Sequence, residues 1–385
     1  MRIAAVHAFP LSYPLDRPYG MARGLTSARG TTLLALESDN GKVGYGEAWG
    51  PGPVAKALIE FYAPSFIGKS LSEVRGVIRA QWASGYHMSS QGLQFGVLGA
   101  FDTASWDLLA KDACRPLSDL IGGRLRDRVM AYASTGYITE DNDSAFFRRC
   151  VEEAAQQGFK AIKIKIGLGA ASDEERVRVV REVMGTDALI LVDVNGNYTV
   201  EQALASIKRM EPYGIHWLEE PLSPEDQAGY ARLRQLSGMT IAAGEALYSR
   251  FAMRDLIQAR LVDVVQPDIN KIGGVSEMAV VRDMAETNNV RFSPHAWAGA
   301  VALNATLQVL ATVSPYPSNR NEATPLLLEF DRGNNPIRDE LLIEPIRLDS
   351  EGFVPIPNRP GLGVQVDPQA LTRLSGVSEI PEVIG

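Results

Sequence analysis

The chain has 385 residues, 45% hydrophobic and 22% charged, a globular composition that excludes disorder as the main state and leaves room for two or three domains. Lys and Arg number 38 against 46 Asp and Glu, for a net charge of −8; with no basic excess, nucleic acid is not an expected partner. No apolar run reaches membrane-spanning length, the N-terminus MRIAAVHAFP lacks a signal-type apolar core, and Cys114 and Cys150 form no CxxC, so no membrane association is expected and the cytoplasm is the expected compartment.

Residues 1–125 read as an α+β unit. Thr31–Glu37 and Val43–Gly50 are strand-like runs around Asn40-Gly41, a dipeptide favoured in tight hairpins because both positions tolerate positive φ. Pro18–Gly30 and Gly50–Pro53 are rich in Gly, Arg and Pro and are expected to be irregular loops. Helical periodicity follows over Ser70–Trp82 and Gln94–Ala110. Gly122-Gly123 and the charged RLRDR mark a boundary. From Val129 the pattern changes to VMAYAS, AIKIKIG, LILVDVN, IHWLEEP, TIAAGEA, VDVVQPD, RFSPHAW and PLLLEF, separated by amphipathic stretches such as Asp173–Met184, Glu201–Met210 and Val275–Asn288. Eight strands and about seven helices over 126–330 predict a β/α barrel. A doubly wound sheet competes, but polar residues recur at every strand end. Residues 331–385, with several prolines and two Gly-rich turns, are expected to return along the surface to the N-terminal unit.

The strand ends carry the chemistry. The last inward-type positions are Lys165, Asp193, Glu219, Glu245, Asp268, His295 and Glu329, spaced 28, 26, 26, 23, 27 and 34 residues apart. One βα unit has about that length, so these side chains should line one barrel rim, the face that holds barrel active sites. In Ala161–Ile166, Lys163 and Lys165 share one face and the isoleucines the other. Both ammonium groups then point inward, where they need anions. The same parity turns Asp193 and Asn195 inward. A lone strand-end carboxylate is more often a helix cap. Three on consecutive strands repel one another unless a cation joins them, and an all-oxygen set favours Mg²⁺ over zinc. Asp268 and His295 are on neighbouring strands and can pair, which fixes the imidazole tautomer. His7, His87 and His216 lie outside the ring and read as structural. Lys163, with a metal, should lower the pKa of Lys165.

KIKIG, VDVNGNYT, WLEEP, AAGE, QPDINKIGG and SPHAW together resemble the enolase superfamily, in its mandelate racemase subgroup, over essentially the whole chain. The resemblance implies a capping α+β domain and a (β/α)7β modified TIM barrel. It implies that Asp193, Glu219 and Glu245 bind Mg²⁺. Lys165 and His295, the latter oriented by Asp268, would be acid and base on opposite faces of a substrate α-carbon. Lys163 and Glu329 would contact the substrate carboxylate. Cap segments Tyr19–Gly24 and Trp49–Pro53 would contact the remainder. Asn195, Trp297, Tyr19 and Arg23 complete the candidate substrate contacts. A homodimer or octamer is the expected assembly, and no organic cofactor is implied.

LEFDRGNNPIRDELLIEPI, IPNRPGLGVQVD and Trp297 resemble the acid-sugar enzymes of that subgroup. The expected reaction is therefore β-elimination from a sugar acid, by a dehydratase or by a cycloisomerase of its lactone or anhydro form. One departure is Gly196, where the cycloisomerase segment carries a His. Arg23 can meet the second carboxylate of a diacid or stay a solvated loop charge. A racemase or epimerase of a smaller α-hydroxy acid is the alternative, and a non-catalytic ligand-binding barrel the alternative from another class. No HxH pair supports a zinc hydrolase. Gly167-Leu168-Gly169 is followed by Ser172 where a dinucleotide fold needs its third glycine.

Overall fold

The computed structural model describes residues 1–88, 91–315, 324–377 and 380–381. The N-terminal sheet has three antiparallel strands in the order β1 (Ile3–Met21), β2 (Gly24–Ser38) and β3 (Val43–Ala48). The expected hairpin joins β2 to β3, with Glu37 opposite Val43 and Gly41 at φ +78. Two local expectations are corrected. Pro18–Gly30 is not a loop: Tyr19, Gly20 and Met21 pair with Thr26, Leu25 and Gly24, so the β1–β2 arm runs out to a tip at Ala22-Arg23. A register shift between Pro14 and Tyr19 absorbs the prolines. Gly50–Pro53 leads into an unexpected helix, Gly52–Phe66, with Pro53 in its first turn. Its Gly and two prolines hid it, although Pro near a helix start costs nothing. Ala55, Ile59, Tyr62 and Phe66 form its buried stripe.

The two expected helices are present as Leu71–Ser84 and Leu93–Asp112. Glu73 reaches back to the Ser70 N–H at 2.9 Å to fix the start of the first. The second is buried on nearly every side because it lies between the cap sheet and the barrel. Its glycines permit that. A Cβ on Gly96 would stand 2.4 Å from Asn270 O, and one on Gly99 2.6 Å from Gly274 N.

The barrel strands are β4 (Arg128–Thr135), β5 (Ala161–Lys165), β6 (Leu189–Asp193), β7 (Ile215–Glu219), β8 (Ile241–Ala243), β9 (Val264–Val265), β10 (Arg291–Phe292) and β11 (Leu327–Asp331). They run parallel in strict sequence order, and β11 returns to pair with β4. Helices such as Ser144–Gln156, Ala170–Met184 and Val200–Met210 separate them. Sequential order with the last strand on the first describes a curled sheet. A doubly wound sheet would reverse its order at a switch point. At the β10–β11 seam, Ser293 Oγ donates to Leu327 O at 3.1 Å. A further strand, β12 (Phe353–Pro355), pairs antiparallel with β4, and the helix Pro368–Ser375 packs on β1. No described helix is long and apolar enough to cross a membrane.

Strand parity sorts the side chains. Ile162, Ile164, Ile190, Val192 and Leu218 join the cluster shared with the helices. Tyr132, Ala161, Leu191, Trp217, Ala242, Val264 and Leu327 form a separate apolar plug inside the barrel. Two residues further along, the same faces carry Ser134, Lys163, Asp193, Glu219, Gln266 and Glu329, all buried. Two residues along these strands exchange the apolar plug for polar and charged side chains.

Candidate active site

The ladder sets the ring. Lys165 pairs in register with Asp193, and Asp193 with Glu219. Beyond the ends of β9 and β10, Asp268 and His295 form an isolated parallel bridge. Asp193, Glu219 and Glu245 each bring a carboxylate oxygen within 4.8 Å of the others. Lys165 Nζ lies 2.5 Å from Asp193 Oδ2. Lys163 Nζ, 1% exposed, pairs with Glu219 and lies 2.9 Å from Glu329 Oε1. Gln266 Nε2 and Trp217 Nε1 donate to Glu219 Oε2 at 2.7 and 3.1 Å. Asn195, held in the left-handed region at φ +50, donates its backbone N–H to Asp193 Oδ1 at 2.8 Å. On the other flank, His295 Nδ1 lies 2.8 Å from Asp268 Oδ2 and His295 Nε2 lies 3.3 Å from Glu245 Oε2.

Protonation follows from these neighbours. Burial opposes charge on His295, but Glu245, Glu329 and Asp268 outweigh it and raise the imidazole to about 9. Burial also opposes the Lys165 ammonium, yet Asp193 outweighs it and the pKa is raised, with Lys163 opposing. The expected depression by Lys163 is therefore present but is not the net result. Burial drives Glu219 up to about 7 against the pull of Lys163. Glu220, which follows it at φ +39, is pushed well up by burial and then by Glu245 and Asp193. Glu329 is held below the usual carboxylate range: burial works against its charge, but Lys163 and His295 prevail.

The all-oxygen set fits a hard divalent cation on a structural test. Glu245 Oε2 and Asn195 Oδ1 make no hydrogen bond, the former facing His295 Nε2 at 3.3 Å as an ion pair, although buried polar atoms normally make one. Three crowded carboxylates, one oxygen of which makes no hydrogen bond, have the donor chemistry of a Mg²⁺ site.

Two family models match the chain: the mandelate racemase / muconate lactonizing enzyme N-terminal domain over residues 4–122, and the enolase C-terminal domain-like family over residues 146–370. The chain belongs to the enolase superfamily. D-galactarolactone cycloisomerase of Agrobacterium fabrum is 36% identical over 97% of this chain and 98% of its own length. Arabinonate dehydratase of Saccharolobus solfataricus is 33% identical over 86% of this chain and 87% of its own. The crystal structure of a racemase from Streptomyces coelicolor with bound magnesium superposes with a TM-score of 0.86 at 26% identity, covering 97% of this chain and 99% of that one.

Within this enolase-superfamily frame, the remaining candidates fall into three settings. Glu329 spends its oxygens on Lys163 Nζ and on the Ala296 N–H at 3.0 Å. As an ionised group it accepts and does not donate. Trp297, half-buried, donates Nε1 to Tyr137 Oη at 2.8 Å, and the Arg29 guanidinium lies 3.5 Å over its ring. Tyr19 is buried and stacks on Tyr137 at 4.6 Å. Arg23 is exposed at the β1–β2 tip, its Nη1 3.2 Å from where a Cβ on Gly196 would stand. A side chain at 196 would thus compete with Arg23 for space.

Sequence reasoning missed three residues beside the ring. Gln266 has the inward parity of Asp268, so alternation along VVQPD was the available signal. Glu220 depends on a left-handed turn that sequence pattern does not announce. Lys271 is buried with Nζ 3.8 Å from Asp268 Oδ2 and 4.9 Å from the Trp49 ring centre. Its spacing of three from Asp268 on one helical turn was its only trace.

Proposed function

We propose that this chain removes the α-proton of a sugar-acid carboxylate and expels the β-oxygen, as a dehydratase or as a cycloisomerase of a lactone or anhydro-sugar acid. One observation carries the proposal. Two proton-transfer groups flank a single carboxylate cluster, Lys165 against Asp193 and His295 against Glu245. A substrate α-carbon between them meets an amine on one side and an imidazole on the other. Asp193, Glu219 and Glu245 would hold Mg²⁺, which when bound supplies positive charge toward the charge that builds on the substrate carboxylate.

The chain's own residues do the rest. Lys165 takes the α-proton as a free amine. Asp193 is the group that keeps it charged, so committing Asp193 to a cation site leaves burial and Lys163 to favour the neutral amine. His295 is raised to about 9 and therefore has a proton to give to the departing β-oxygen near neutral pH. Asp268, at Nδ1, leaves Nε2 as the atom turned to the substrate. Asn195 Oδ1, buried and unpaired, offers an acceptor for a substrate hydroxyl. Arg23 at the cap tip suits a second carboxylate. The names of the cycloisomerase and dehydratase relatives describe the two outcomes of this β-elimination. Racemisation is the second reading, favoured by the same two-sided placement, with His295 returning the proton to carbon.

The test is incubation with a panel of acid sugars and their lactones in D₂O with Mg²⁺. A keto-acid or ring-opened product identifies elimination, and exchange with inversion alone identifies racemisation. Lys165→Ala and His295→Ala should differ in which epimer stops exchanging. If both variants exchange every epimer at the wild-type rate, the two-base assignment is wrong.

A further inference from the structure

A small cavity of about 20 Å³ lies beneath the cap, between Trp49 and Trp297 and against the loop that follows Asp268. That volume suffices for one water-sized molecule. Three of the residues that line it each hold a buried polar atom that makes no hydrogen bond: Arg29 Nη1, Asn270 Nδ2 and Asn335 Oδ1. Their residues are 4%, 4% and 2% exposed.

The remainder of these groups is held in place. Arg29 Nη2 lies 2.8 Å from Asp331 Oδ2, and the guanidinium is stacked on Trp297. Asn335 Nδ2 donates to Ala298 O at 3.1 Å, which leaves its oxygen as the free end. The Asn270 N–H donates to Asp268 Oδ1 at 2.8 Å. Two unpaired donors and one unpaired acceptor around room for a single oxygen match one chemical group. A hydroxyl accepts twice and donates once. An anion would face Asn335 Oδ1 unfavourably, an ammonium would face two donors, and a carbon skeleton does not fit.

We propose that this cavity is a hydroxyl-binding site that ties β2 of the cap to the loops carrying Asp268 and His295. Arg29 and Asn335 both touch the segment just past His295, at Trp297 and Ala298, and Asp268 caps the helical turn that carries Asn270 by accepting its N–H. A bound oxygen therefore links both sides of the acid/base pair. The hydroxyl has two sources: an ordered water, or a terminal hydroxyl of the substrate. Only the second rests on the proposed sugar-acid reaction.

The test is a pair of crystal structures of the intact Mg²⁺-loaded protein, without and with D-gluconate, at a resolution that shows ordered water. We expect one oxygen peak within hydrogen-bonding distance of all three atoms. A peak retained when gluconate is bound assigns water, and a peak replaced by a gluconate hydroxyl assigns the substrate. Loss of the acceptor in Asn335→Leu should abolish the peak while the Arg29–Asp331 pair stays. An empty cavity, a side chain filling it, or a peak unchanged in Asn335→Leu overturns the proposal. The wild-type maps decide it even if that variant does not fold. They also decide it independently of turnover, so its failure and that of the proposed reaction are separable.

Discussion

The cap and the barrel mouth both bury carboxylates and treat them in opposite ways. On the cap, Glu47 accepts from the Gly299 and Ala302 N–H groups at 2.6 and 3.1 Å. Asp102 accepts from Ser276 N and Oγ at 2.8 and 2.7 Å. Asp107 accepts from Tyr45 N, Leu362 N and Lys111 Nζ at 2.9, 2.8 and 2.7 Å. Every oxygen meets a donor. Glu47 and Asp102 close the starts of the barrel helices Ala300–Leu310 and Gly274–Thr287, where free N–H groups and the helix dipole favour negative charge. At the mouth, Asp193, Glu219 and Glu245 crowd one another, and Glu245 keeps an oxygen that makes no hydrogen bond. Asp193 and Glu219 are as buried as the cap carboxylates, and Glu245 is nearly so. Crowding and incomplete satisfaction are what mark the reactive one.

The largest effect that separates the regions should come from Glu245→Gln. We expect kcat to fall about 10³-fold, while Tm without Mg²⁺ stays level or rises because one of three like charges is gone. Retained turnover with a fall in Tm would erase the contrast. Glu47→Ala should do the reverse. Two buried N–H groups lose their acceptor, so denaturant melts should show a loss of about 2–4 kcal/mol with a far smaller change in kcat. Next, Mg²⁺ at a hundredfold excess over Kd should stabilise the wild type by about 2.7 kcal/mol through mass action. Thermal melts should show the same gain in Glu47→Ala and none in Glu245→Gln.

The smallest effect lies at the barrel floor. His216, three residues before Glu219 on β7, is lowered to about 4 by burial and then by Arg291. Its ordinary value is about 6.5. The unfolded chain therefore binds more protons between these values, so its contribution is complete above about 6.5 and is lost as the pH falls toward 4. His216→Gln should flatten that limb of the stability–pH curve. An unchanged slope would show that His216 is not buried as a neutral group.

Much of this was legible in the sequence because a barrel repeats one short unit. Parity along AIKIKIG and LILVDVN placed Lys163, Lys165 and Asp193, and unit-length spacing placed the rest of the ring. The cap was less legible. Proline hid the helix Gly52–Phe66 and made the β1–β2 arm look irregular, although edge strands tolerate proline. Arg29, Tyr137 and Asp331 meet across some 300 residues of chain, and no local pattern encodes such a meeting. The net charge state of Lys165 also lay beyond sequence, because it turns on a 2.5 Å contact with Asp193 rather than on a neighbour two residues away.

The glycines of helix Leu93–Asp112 have a consequence for opening and closing. With Gly96 and Gly99 laid directly on the main chain of residues 270–274, and Glu47 and Asp102 bonded across to barrel N–H groups, the joint between the two bodies resists sliding. The exposed tip at Ala22-Arg23 stands apart from this joint, so its side chains can change without disturbing the seat of Asp268 and His295.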